Sequence, residues 1–504
     1  MRFLYGASVQ GIQDFITQTG RLKEMVGASE IVESICTDLF HEMAGITAED
    51  PNLIRSAAGN IRYLFSDPDA CRKTVRHFPS QVMESAPGVR VSQAVLRLEE
   101  GDSLAEALGD IEIMLQQQRN RIPVPADIGY MGLERSRRTG NVAVGFSDDG
   151  EPVCNSIKAK LEASGRNRLL ISLTGEESPV SDHFSKAIDR MVLRDGNRWV
   201  AVIHADGNGM GAVIRELGES MASNSNVERV KAVFREFSRT IDACTKRAVQ
   251  KAFASTKKTH EGLNGLRSPY PIRPLVIGGD DLTLVMRADL ALGFTCEFLR
   301  AFEEETRRGF EKMFGEHGIV GIDPGLTACA GIAYVGDSYP FHYGHDMAER
   351  LCNEAKRESK RGLKNGDRIP SSLSFYKVQD SFVEQDLGAI RERTQKAHGG
   401  IRFDYGPYLL DQIEGRPCIK ELTDRLESLR EMDIEGRSAS LSKLRKWVSE
   451  AYRDSASAHS LMNRIRQVES DRIGGGMYER LSLDGHDQGR SIIMDLIQLH
   501  AIEK

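Results

Sequence analysis

The chain has 504 residues, 40% hydrophobic and 28% charged, enough for about three domains of roughly 100–200 residues each. A formal net charge of −6 excludes a protein that coats polyanions, while leaving room for local basic runs. Eight scattered cysteines without a CxxC pair argue against a disulfide framework or a zinc site. They fit free thiols in a reducing cytoplasm. The N-terminus MRFLYGASVQG has no signal-peptide core, and no apolar run nears the ~18 residues of a membrane span. The expectation is a soluble, cytoplasmic protein with no membrane partner.

Taken in order, residues 2–6 read as a strand, followed by helices carrying Ile12, Phe15 and Ile16, then Met25, Ile31, Ile35 and Leu39. SAAGNIRYLF (56–65) reads as strand-turn-strand, 68–86 as a helix, VRVSQAVLRLE (89–99) as a strand and 103–118 as a helix, with a last hairpin near 125–140. That order predicts a ferredoxin-like palm over 1–146. Residues 147–197 are polar apart from LLISL and read as a connector with a small module of its own.

The same order recurs over 198–380. A strand WVAVIHAD ends at Asp206 and runs into GNGMG and a helix; after a helical insertion, PLVIGGDDLTLVM (274–286) gives a hairpin. A long helix, the strand LTACAGIAYV (326–335), the helix 345–360 and the strand SLSFYKV (372–378) follow. The two units superpose with Ala7-Ser8 at Ala205-Asp206 and Gly59-Asn60 at Gly279-Asp280, so that Asn60 and Ile61 stand where Asp280 and Asp281 do. Residues 381–504 read as helical, with stripes such as Ile419, Leu422, Leu426 and Leu429 that suit a small bundle core. The fold class expected is α+β: two ferredoxin-like palms packed as a pseudo-dimer, plus a C-terminal helical bundle.

Chemistry concentrates at the second hairpin. Gly278-Gly279 permit a tight turn and close approach of a ligand, and Asp280-Asp281 repel one another unless a cation lies between them. An ordinary solvated hairpin is the competing reading of that stretch alone. Asp206, at the end of what should be the neighbouring strand, adds a third carboxylate; three convergent carboxylates suit two Mg²⁺ or Mn²⁺ ions, with Asp206, Asp280 and Asp281 as catalytic metal ligands. Gly207 and Gly209 open a strand-to-helix turn whose amides can cradle a triphosphate; GNGMG is a poor dinucleotide loop. Lys356 and Lys360 either reach that triphosphate or merely complement a helix C-terminus. Ser371, Ser372 and Ser374 either touch nucleotide or solvate their own loop. In the first palm, Ser8, Gly59 and Asn60 mark the matching place without acids, a site for a second nucleotide. The pairs His345-Asp346 and His486-Asp487 lack the further ligands of an HD phosphohydrolase, and that reading is rejected.

IQDFITQTGRLKEMVGASEIV (12–32), HAD (204–206), IGGDD (277–281), NEAKR (353–357) and DYGPY (404–408) together resemble the polymerase-cyclase large subunit of type III CRISPR effector complexes. The resemblance implies synthesis of a cyclic oligoadenylate-like messenger from ATP with two divalent ions, the palms holding donor and acceptor nucleotides. It also implies guide or target RNA and other CRISPR effector subunits as partners. The sequence departs from that pattern in beginning directly at the first palm, without a DNA nuclease domain of the HD type, and in having only Cys154 where a zinc module would lie. An RNA-binding scaffold subunit and a diguanylate or mononucleotide cyclase are the alternative functions.

Overall fold

The computed structural model describes residues 1–120, 131–192, 198–222, 226–264, 269–364, 367–379, 386–434, 438–470, 477–486 and 489–503. Residues 125–130 of the hairpin expected near 125–140, and Asp487, lie outside them.

The first sheet is built from β1 (Arg2–Gln10), β2 (Leu53–Ala57), β3 (Asn60–Phe65) and β4 (Arg90–Leu98), in the order β2-β3-β1-β4. This antiparallel order is that of a ferredoxin-like fold. Helices α1 (Ile12–Thr17), α2 (Leu22–Ser34) and α3 (Phe40–Ala44) fill the first crossover, α4 (Pro68–Ser85) the second, and α5 (Leu104–Arg119) follows β4. Local chemistry sets these boundaries: Asp67 caps α4 by accepting from the amides of Asp69 (3.0 Å) and Ala70 (3.3 Å), ahead of a proline in the first turn.

In the 147–197 stretch and just before it, a two-residue pairing of β5 (Gly145–Phe146) with β6 (Pro152–Val153) leads into α6 (Asn155–Ala163) and α7 (Arg168–Thr174). Helix α6 lies so close on α2 that a Cβ on Gly27 would fall 1.7 Å from the Lys160 carbonyl oxygen. Lys160 is itself buried and donates to the Phe15 carbonyl at 2.6 Å.

The second sheet repeats the first. Strands β7 (Trp199–Gly207), β8 (Ile272–Gly278), β9 (Asp281–Arg287) and β10 (Ala328–Gly336) keep the same relative order, and β11 (Ser372–Lys377) and β12 (Tyr408–Leu409) extend it to β12-β11-β10-β7-β9-β8. Between β7 and β8 come α8 (Met210–Ala222) and the long α9 (Val227–Asn264); α10 (Ala288–His317) follows β9 and α11 (Phe341–Ser359) follows β10. Strand β9 does not alternate between core and solvent: Leu282 through Arg287 are all buried. The alternation is between two cores. Leu282, Leu284 and Met286 pack with Ala201 and Ile203, whereas Val285 packs with Val200, Val202 and first-palm Tyr5, Ala7 and Tyr63. Each core draws residues from both palms, so the pseudo-dimer is one packed body.

Helix α11 approaches β10 closely because Gly331 has no side chain; a Cβ there would lie 1.9 Å from the Ala348 carbonyl oxygen. Beyond the palms lie α12 (Leu387–Thr394), α13 (Ile419–Ile434), α14 (Ser438–Arg453), α15 (Ser455–Ser470), the short α16 (Met477–Arg480) and α17 (Ile493–Glu503), packed around Leu422, Leu444, Trp447 and Leu496. The tail is not wholly helical, since β12 joins the second sheet. Tyr408 on β12 donates to the buried Asp495 at 2.5 Å, tying strand to bundle. No helix among the described residues is long and apolar enough to cross a membrane, and all eight cysteines are buried and free.

Candidate metal centre between the two palms

The β8–β9 hairpin closes with Gly278 opposite Asp281, leaving Gly279 and Asp280 as its two turn residues. Gly279 takes φ +61°, where glycine is unstrained. Strand β7 pairs with β9 as far as Ala205–Leu282, which brings Asp206 beside Asp281. One carboxylate oxygen from each of Asp206, Asp280 and Asp281 lies within 4.8 Å of the others. Gly207 makes room for this: a Cβ there would sit 2.8 Å from the Asp280 Cβ and 2.9 Å from its Oδ2.

The charges at this point do not balance. Burial, then Asp206, pushes the Asp280 carboxyl up to about 6, and burial, then Asp280 and Asp206, raises Asp281 well above the usual carboxylate range. The partner within ion-pair reach is Lys356 of α11, whose ammonium donates to Asp206 and to the Gly207 carbonyl oxygen at 3.0 Å. Burial works to lower the Lys356 pKa, but the Asp206 contacts outweigh it and the lysine stays charged. Beneath the acids His204 shares a 3.0 Å hydrogen bond with the Thr283 hydroxyl; burial, then His345, pushes its pKa down to about 4, so it is neutral. One ammonium against three carboxylates leaves a deficit of positive charge at an all-oxygen donor set. Hard divalent cations such as Mg²⁺ or Mn²⁺ fit such a set.

Two cavities flank the acids. One of about 500 Å³ opens on the Asp280 side, between Arg55 of β2 and the start of α8 (Met210, Gly211, Ile214), with Gly279 in its wall. The other, of about 370 Å³, opens on the Asp281 side and is lined by Ser8, Asn60 and Arg119 of the first palm and Gly278 of the second. Gly209, at φ +72°, turns the chain from β7 into α8. Lys360 is exposed and lines neither cavity. Gly59 is buried under Ile12, whose Cδ1 would lie 2.5 Å from a Cβ.

The superposition of the hairpins needs correcting by one residue. In the first palm Ala57 pairs with Asn60, as Gly278 pairs with Asp281. Gly59 therefore matches Asp280, and Asn60 matches Asp281; Ile61 matches Leu282. Ser8 pairs with Asn60 and does stand at the Asp206 place. The first hairpin turns through two positive-φ residues, Ala58 (49°) and Gly59 (74°), so the glycines of the two copies do not align. In this copy the Ser8 hydroxyl donates to Asn60 Oδ1 (3.1 Å) and accepts from Arg119 (2.8 Å), with no carboxylate among the three. Ser371, Ser372 and Ser374 are buried and bond internally: Ser374 donates to Glu354 at 2.6 Å and Ser372 accepts from Ser359 at 2.7 Å. The first palm brings Arg55 and Arg62 to the first cavity and Arg119 to the second, none of which the sequence gives a reason to single out.

Residues 199–364 match the family model described as Cas10/Cmr2, second palm domain. A comparison with curated protein sequences finds no match. Among solved structures, a Csm1–Csm4 cassette in complex with cA4 matches with a TM-score of 0.57 at 15% identity, over 100% of this chain and 70% of that one. A Csm1–Csm4 cassette with cA3 gives 0.55 at 16%, over 100% and 69%. The Csm1–Csm4 subcomplex of the type III-A CRISPR-Csm interference complex gives 0.51 at 17%, over 99% and 70%. The second palm thus matches the Cas10/Cmr2 second-palm family model, and the whole chain shares the fold of those Csm1 structures.

Proposed function

We propose that this protein is a metal-dependent nucleotidyltransferase that joins ATP molecules into a cyclic oligoadenylate-like messenger. The observation that carries the reading is the convergence of Asp206, Asp280 and Asp281 within 4.8 Å, on the seam between two palms and with a cavity on either side. Joining two nucleotides requires one set of acids reachable from two binding places. The fold likeness to cassettes solved with cA4 and cA3 supports the product class.

Two ions bound at the acids would supply the positive charge that activates a ribose hydroxyl and stabilises the leaving pyrophosphate. Asp206, Asp280 and Asp281 would hold them. The start of α8, reached through the Gly207–Gly209 turn, lines the larger cavity, and the amides of a helix N-terminus suit a triphosphate. Lys356 holds Asp206 in place and keeps a cation beside the phosphates. A ribose hydroxyl of the nucleotide on the Ser8–Asn60 side would attack the α-phosphate of the one beside Asp280, releasing pyrophosphate.

Csm4 accompanies Csm1 in the matched structures, so we further propose a subunit of that kind, and guide RNA, as partners of this chain. The test is incubation of the purified protein with labelled ATP or GTP and Mg²⁺, with and without RNA, and separation of the products. A cyclic adenylate product is expected, and Asp280→Ala with Asp281→Ala should abolish it. Labelled oligonucleotide persisting in that variant would refute the assignment. Product from GTP alone would point to the diguanylate or mononucleotide cyclase alternative, and activity solely in an RNA-loaded assembly to the scaffold reading.

A further inference from the structure

The two hairpins share more than their strand order. Each carries a β-bulge at the same place, between Leu53 and Arg55 in the first palm and between Pro274 and Val276 in the second. Counting from the closing pairs Ala57–Asn60 and Gly278–Asp281, Arg55 and Val276 occupy equivalent positions, opposite Arg62 and Thr283. A bulge re-aims the side chain that follows it. Arg55 lines the cavity shared with Asp280 and the start of α8, and Val276 lines the cavity shared with Ser8 and the start of α1.

The molecule therefore holds two composite places, each made from the strand-to-helix turn of one palm and the bulged strand of the other. They differ in a coordinated way. The cavity that holds Asp280 and the start of α8 receives an arginine from across the seam. The cavity that holds Ser8, Asn60 and Asp281 receives a valine. Arg55 is half-buried and its guanidinium makes no hydrogen bond or ion pair among the described residues, yet its charge acts on Asp280. The other cations around the same cavity are engaged: Arg62 pairs with Glu112, and Arg215 lies 4.0 Å from Glu219. A half-buried guanidinium without a partner is costly unless something anionic joins it.

We propose that Arg55, supplied by the first palm, contacts the phosphates of the nucleotide held at the second palm's acids and neutralises charge as pyrophosphate leaves. The inference rests on the nucleotidyl-transfer reading above. The guanidinium's planar fork suits two phosphate oxygens at once, which an ammonium cannot match.

The test uses the full chain and the residue that the second palm itself carries at this position, Arg55→Val, with Arg55→Lys beside it. Binding of α,β-methylene-ATP with Mg²⁺, product formation from ATP and thermal unfolding are measured on each. Arg55→Val should weaken analogue binding about 10- to 100-fold and slow turnover on the order of 100-fold or more, leaving the unfolding temperature unchanged or higher. Arg55→Lys should recover part of the binding and little of the rate. Analogue binding within about twofold of the parent protein, or a rate loss matched by a lowered unfolding temperature, overturns the proposal. Should the unaltered chain make no product, the proposed function falls, and the binding measurements still decide Arg55.

Discussion

Gly207→Ala adds a single methyl group at the point where β7 passes the Asp280 carboxylate. Its Cβ would stand 2.8 Å from the Asp280 Cβ, about 0.6 Å short of the 3.4 Å at which ordinary contact begins, and 2.9 Å from Oδ2. Asp280 lies in a two-residue turn held by the Gly278–Asp281 pair, so the hairpin tip must move rather than a flexible side chain. A shift of this size in a metal-holding carboxylate is expected to cost on the order of 10²-fold in rate, and the overpacking roughly 1–3 kcal/mol in stability. Product formation from labelled ATP, and the rise in unfolding temperature on adding Mn²⁺, read the two effects separately; both should be much reduced. Gly293→Ala, at an exposed position of α10 where a Cβ meets nothing within 4 Å, is the control and should be silent. A folded Gly207→Ala protein with at least half the parental rate and an undiminished Mn²⁺ response would refute the idea that this gap positions the acids.

Two further outcomes are expected. Asp280 and Asp281 have carboxyl pKa values raised above their unfolded values, Asp280 to about 6. In the metal-free protein the contribution of these two groups to stability is fully present below about pH 4 and is lost as pH rises through 6 and beyond. Asp280→Asn with Asp281→Asn should raise the unfolding temperature in EDTA at pH 8, but not at pH 4, while erasing the stabilisation by Mn²⁺. Burial lifts Asp495 to about 7 against the pull of its bond from Tyr408. Asp495→Asn keeps that acceptor and removes the ionisation, so it should stabilise the protein by on the order of 1–3 kcal/mol at pH 8 and leave it unchanged at pH 4. Denaturant unfolding at the two pH values measures the difference, and an equal effect at both would count against the cause given.

Most of what could be read from the sequence is local. The palm order, the repeated hairpin and the three acids follow from strand and turn patterns within a few residues of each other, and the sheet order brings the acids together. Aligning the two hairpins on their glycines slips them by one residue, because Gly59 is the second residue of its turn and Gly279 the first. Strand β9 hid its environment: the alternation of Leu282, Leu284 and Met286 with Thr283 and Val285 looks like one buried and one solvated face, when both faces are covered. The pairing of Lys356 with Asp206 depends on how far α11 settles onto β10, which Gly331 decides 25 residues away. Nothing in the residues around Arg55 announces a bulge, because a bulge is a property of the pairing. β12 is two residues long and has no period to detect.

The hairpin tips meet at the seam: Cβ positions at Gly278 and Ala58 are 3.8 Å apart. That distance falls within the span of a disulfide. Ala58→Cys with Gly278→Cys would place a removable covalent bolt across the palms, and oxidation would act there selectively, since all eight native thiols are buried. Locked and released forms of the same molecule would then tell whether the halves must part for each new nucleotide to enter, or whether a growing chain is threaded through a closed seam.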